Sequence, residues 1–142
     1  LDRLRDGAWA SPSVDAAWLP VEAADFLASS DLSGNLFHAY EHGGYLGWRL
    51  VDPRMPEPRF RVYLDGRTVL HGPVIEERWG AEHQPGTAVA AALFARRSIS
   101  VAVMPNSRTT DAQGLPIVWK PPGDGWERVH TDATAVVWSR RP

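Results

Sequence analysis

Apolar positions after Pro20 recur at helical spacing. Ala23, Phe26, Leu27 and Ser30 fall at i, i+3, i+4 and i+7, the stripe with which a surface helix buries one side. Glu22 sits in the first turn, where a negative charge complements the helix dipole, and Ser33-Gly34 ends the segment. The period then shortens. Leu36–Tyr40 is a short apolar run after a glycine and reads as a strand. Residues 60–65, Phe-Arg-Val-Tyr-Leu-Asp, alternate with β-branched and aromatic side chains and give the clearest strand in the chain. Ile99–Met104 reads as a buried strand stopped by Pro105. Three helical stretches lie between these strands: Gly43–Leu50, a segment from Pro73 through Trp79, and Gly86–Arg97, which closes on two arginines suited to a helix C-terminus. Trp126–His130 and Ala133–Trp138 flank Thr131-Asp132 as a closing hairpin.

Helices that alternate with strands favour parallel pairing through right-handed crossovers, and the final hairpin adds an antiparallel edge. The predicted class is α/β: a small sandwich with a mixed, largely parallel sheet flanked by helices and a C-terminal β-hairpin. Residues 1–19 read as a leader or linker, with a short helix from Ser11 to Trp18, and residues 20–142 as a single α/β domain.

Composition narrows the chemistry. The chain has no cysteine, which removes disulfides, thiolate metal sites and cysteine nucleophiles. A net charge of −2, with basic residues dispersed, gives no footprint for nucleic acid. No apolar run reaches the roughly 18 residues of a membrane span. Twelve prolines stand mostly at element boundaries, and seven tryptophans offer flat amphipathic faces for packing or for stacking on a sugar ring.

The segment FHAYEHGGYLGWRLV holds the sharpest candidates. His38-Ala39-Tyr40-Glu41-His42 matches H-x-x-E-H, a zinc-peptidase pattern in which two histidines one helical turn apart hold the metal and the glutamate acts on its water. On a strand the same histidines stand about 13 Å apart, too far for one zinc. The strand composition and the two glycines that follow favour that second reading, so neither metal nor cofactor is expected. Gly43 and Gly44 mark a turn or a close backbone approach and fit no nucleotide-binding fingerprint. Asp65-Gly66-Arg67 ends the best strand, the edge of an α/β sheet where ligands usually bind. Two readings stand there: a polar-ligand clamp, or a structural Asp–Arg turn around Gly66.

These segments, taken in order, resemble a known succession. Pro20-x-x-Ala23-x-x-Phe26-Leu27, Gly34-Asn35-Leu36-Phe37, Tyr40-x-x-Gly43-Gly44-Tyr45-Leu46-x-Trp48-x-Leu50 and Val62-Tyr63-Leu64-Asp65-Gly66-Arg67 are similar to the C-terminal soluble region of bacterial multi-spanning membrane proteins related to C-type-superfamily glycosyltransferases. The closing Trp126-x-x-Val129-x-x-Asp132-x-x-Ala135-Val136-Val137 fits as well. His38 stands where that family usually has Asn. The resemblance implies an extracytoplasmic domain tethered to an upstream transmembrane region of the same protein, with the catalytic residues outside this domain. It implies a ligand-binding surface at Tyr45, Trp48, Asp65, Arg67 and His38 that contacts a glycan, the acceptor or the membrane portion. A small zinc hydrolase using His38, Glu41 and His42, and a carbohydrate-binding module using tryptophan faces, are the alternatives.

Overall fold

The computed structural model of the chain describes residues 17–64, 72–106, 112–115 and 118–142. Asp65, Gly66, Arg67, His71 and most of the helix expected from Ser11 lie outside the described residues. Helix α1 (Val21–Ser29) leads into β1 (Gly34–His38), a single 3-10 turn (Tyr40–His42) and α2 (Gly43–Arg49). Then come β2 (Phe60–Val62), α3 (Gly72–His83), α4 (Ala88–Arg96), β3 (Ile99–Pro105), β4 (Trp126–Thr131) and β5 (Ala135–Arg140).

The strands form one mixed sheet in the order β2-β1-β3-β5-β4. The expected α/β class is what the chain adopts. β1 pairs in parallel with β2 and β3, while β5 pairs antiparallel with β3 and with β4. Parallel pairing therefore makes up two of the four strand pairings rather than most of them, because the closing hairpin, which forms the expected antiparallel edge, brings two antiparallel pairings through β5.

Period-2 alternation divides each long strand between two cores. Leu36, Val101, Val103, Ala135 and Val137 meet Ala23, Ala24 and Leu27 of α1 and Leu46 of α2. Phe37, Ala102, Met104, Val136 and Trp138 meet Ala81 of α3 and Ala90, Leu93 and Phe94 of α4. The sheet is thus a middle layer, with α1 and α2 on one face and α3 and α4 on the other.

Element ends differ from the sequence reading for identifiable reasons. β1 starts earlier, at Gly34, whose φ of +120° admits only glycine and whose absent Cβ leaves room for the Ser100 hydroxyl. It stops at His38, so Tyr40 belongs to the 3-10 turn. β2 ends at Val62, although Tyr63 still donates its N–H to Leu36 O at 2.9 Å. α3 continues past Trp79 to His83. α4 starts at Ala88 instead of Gly86, because Thr87 Oγ1 accepts the Ala90 N–H as a cap.

The hairpin turn centres on Asp132, whose Oδ1 accepts the N–H groups of Thr134 and Ala135 at 2.7 and 2.8 Å. Its Oδ2 meets His130 Nε2 at 2.8 Å. Asp132→Ala removes these acceptors from a turn that feeds the sheet interior. The expected cost is about 1–2 kcal/mol, read from the urea midpoint.

Candidate functional site

His38 closes β1 and is fully buried. Its Nδ1–H donates to the carbonyl of Ala39 at 2.8 Å, and its Nε2 accepts the N–H of Leu64 at 3.3 Å. One neutral tautomer satisfies both bonds. Burial pushes the ring pKa down to about 4; the Ala39 bond opposes the shift, and the charges of Arg78 and His42 reinforce it. The ring is therefore a bracket between the carboxyl ends of β1 and β2. Gly43 completes the joint: a Cβ there would stand 2.0 Å from Leu64 O and 2.6 Å from His38 Cε1.

The neighbouring turn is also held by main-chain bonds. His42 Nε2–H donates to Trp18 O at 2.9 Å, which ties the end of the N-terminal segment to this edge. Burial lowers the His42 pKa as well, against the raising effect of that bond. From α3, Arg78 is buried, pairs with Glu82 one turn on, and places its guanidinium 5.2 Å above the Tyr40 ring. Burial raises the Glu82 pKa, partly offset by Arg78. Among the described residues, His42 Nδ1 and Arg78 Nε have no hydrogen-bond partner.

The H-x-x-E-H residues do not converge. A zinc ligand needs a free nitrogen lone pair aimed at the metal, and the one lone pair of neutral His38 already accepts the Leu64 amide. Glu41 lies exposed. Among the described residues no three His, Asp or Glu side chains group as a metal site. Residue 42 sits on a one-turn helix, so the strand spacing assumed from the sequence does not apply; the backbone bonds keep the two rings apart in function instead.

The segment after His42 divides by depth. Gly43 and Leu46 are buried, while Tyr45 is half-buried and Trp48 is 52% exposed. The Tyr45 and Trp48 rings lie 6.2 Å apart and tilted. Burial raises the Tyr45 pKa, against the lowering effect of Arg49. Trp48 lines an open groove of about 530 Å³ with Ala28, Arg49, Leu50, Val51, Asp52, Arg54, Met55 and Arg59. Of the other described tryptophans, Trp18 is exposed before α1, and the remaining four separate into two sets. Trp119, Trp126 and Trp138 pack on the α3/α4 face of the sheet. Trp79 is exposed and stacks on His83 at 4.3 Å.

The structure brings Tyr45 and Trp48 together on α2 and places His38 apart from them, in the joint at the carboxyl end of β1; Asp65 and Arg67 lie outside the described residues. Sequence reasoning missed Arg49, Arg54 and Arg59 as groove residues. Their signal was present: an arginine every five residues through the Pro53–Pro58 loop. Arg78 was missed because nothing local marks an arginine as the buried residue of its helix.

Comparison of the chain with family models, with characterised proteins and with solved structures finds no match.

Proposed function

We propose that this chain is a non-catalytic, extracytoplasmic accessory domain of a membrane-tethered glycosyltransferase-like protein. Its Tyr45–Trp48 surface contacts the acceptor, and the transmembrane partner is an upstream region of the same protein. The observation that carries this reading is the division of the Gly43–Trp48 segment. Gly43 and Leu46 seat α2 on the β2 end, and the same short helix turns two aromatic rings outward beside an open groove. Partly exposed rings on a rigid helix suit binding by stacking and packing. The histidines that precede α2 are engaged by backbone groups, which favours a scaffold role for the H-x-x-E-H segment over hydrolysis.

Two measurements test this. A photo-crosslinking residue at position 48 in the membrane-embedded parent protein is expected to capture a glycan acceptor or acceptor-bearing chain. The purified domain is expected to leave nucleotide-sugar, lipid-linked sugar and peptide substrates unchanged. Turnover by the isolated domain sinks the proposal. Stoichiometric bound zinc that is lost in His38→Ala would favour the hydrolase reading instead.

A further inference from the structure

Arg49, Arg54 and Arg59 all line the groove beside Trp48. Two of them already have structural partners. Arg49 pairs with Asp25 of α1. Arg59 donates to the carbonyls of Leu27, Ala28 and Ser30 at the C-terminal end of α1, where main-chain carbonyls run out of helical donors. Arg54 differs: it is exposed, and its guanidinium has no acceptor among the described residues. Its main chain is nonetheless fixed. Asp52 Oδ1 accepts the Arg54 N–H at 3.0 Å, and Asp52 O accepts the Met55 N–H at 3.0 Å. Pro53, Pro56 and Pro58 restrict the loop further.

The groove's charge is one-sided. Asp25 offsets Arg49, so Arg54 and Arg59 stand against one lining carboxylate, Asp52, whose Oδ1 already accepts the Arg54 amide. The rest of the lining includes Trp48, Val51 and Met55, each just over half exposed. A guanidinium recognises the paired oxygens of a phosphate or carboxylate. An indole face takes the apolar face of a pyranose ring. A ligand that uses both features carries an oxyanion on a ring with an apolar face.

We infer that this groove binds an anionic saccharide, a pyranose bearing a phosphate or carboxylate, with Arg54 holding the oxyanion and Trp48 the ring face. The inference rests on the reading of the Tyr45–Trp48 surface as an acceptor contact and gives that contact a ligand class.

The test is a titration of the ¹⁵N-labelled protein, following the Trp48 indole and Arg54 side-chain signals. The probes are α-D-glucose 1-phosphate, D-glucuronate, D-glucose, inorganic phosphate and phosphatidylglycerol vesicles. Saturable shifts at both residues are expected with the two anionic sugars, and binding about tenfold weaker with glucose or inorganic phosphate alone. Arg54→Gln is expected to weaken the anionic sugars by about tenfold or more, and Arg54→Lys by less. The inference is overturned if anionic sugars produce no saturable shift, if Arg54→Gln binds them undiminished, or if inorganic phosphate binds equally well. Engagement of these residues by vesicles alone overturns it too, in favour of a membrane surface. Its failure is separable from failure of the accessory-domain reading: crosslinks from position 48 to an uncharged acceptor, with no anionic sugar bound, remove the ligand class and leave the contact surface.

Discussion

Gly43→Ala is expected to remove roughly 3 kcal/mol or more of stability, while its neighbour Gly44→Ala is expected to be neutral or stabilising. The two glycines are adjacent in one motif, and their backbones are both helical, so conformational freedom does not separate them. Space does. A Cβ on residue 43 would meet the backbone oxygen of Leu64 at 2.0 Å and the His38 ring at 2.6 Å, and neither neighbour can swing aside. The Leu64 N–H is held by His38, so relieving the clash means breaking the joint between β1, β2 and α2. A Cβ on residue 44 meets nothing within 4 Å, and alanine favours a helix over glycine by up to about 1 kcal/mol. Urea unfolding of the two variants measures the contrast. Equal midpoints for both variants would show that the joint is not as tight as described.

Acid is expected to weaken the fold through His38, and the sign follows from the direction of its shift. The folded ring titrates at about 4 and an exposed histidine at 6.5, so the unfolded chain takes up the proton first. The contribution is fully present above pH 6.5, declines as pH falls, and levels off below pH 4. The loss is about 2 kcal/mol at pH 5 and roughly 3 kcal/mol at the plateau. His42 is shifted the same way and adds to the loss, whereas the raised carboxyl of Glu82 opposes it. Comparison with His38→Asn isolates the ring. An amide keeps the donor toward Ala39 O but is too short to reach the Leu64 N–H as well, so the variant starts about 1–3 kcal/mol less stable at pH 7. Its stability is then expected to fall less between pH 7 and pH 5 than that of the parent chain. Parallel pH profiles for the two proteins would rule His38 out as the sensor.

Position 38 calls for one donor and one acceptor on a group long enough to reach both Ala39 O and the Leu64 N–H. A neutral imidazole offers one donor and one acceptor, as a carboxamide does, and burial keeps it neutral.

Element types were legible in the sequence wherever a periodic run decided its own environment. The α1 stripe, the buried run of β3 and the Asp132 hairpin are of this kind. What escaped depended on partners far along the chain. β2 looked six residues long from composition, yet only Phe60–Val62 are in the ladder, because the Leu64 amide bonds a side chain 26 residues away. α3 ran longer than its apolar pattern, since one of its buried residues is Arg78, which Glu82 and the Tyr40 ring make tolerable. The H-x-x-E-H segment stood out as a pattern, but a local pattern records spacing and says nothing of which backbone groups will face each ring. The groove arginines were visible as letters, but only the fold shows that the guanidiniums of Arg49 and Arg59 have structural partners and that, among the described residues, that of Arg54 has none.

The strand order bears on the timing of assembly. β5 follows every other strand in the chain, yet it lies inside the sheet, between β3 and β4, and supplies Ala135 and Val137 to one core and Val136 and Trp138 to the other. During synthesis β1, β2 and β3 emerge first with their helices, while β3 keeps one open edge and both layers stay partly unfilled. Neither core can close until residues 135–140 have left the ribosome, so this domain folds after its translation rather than alongside it.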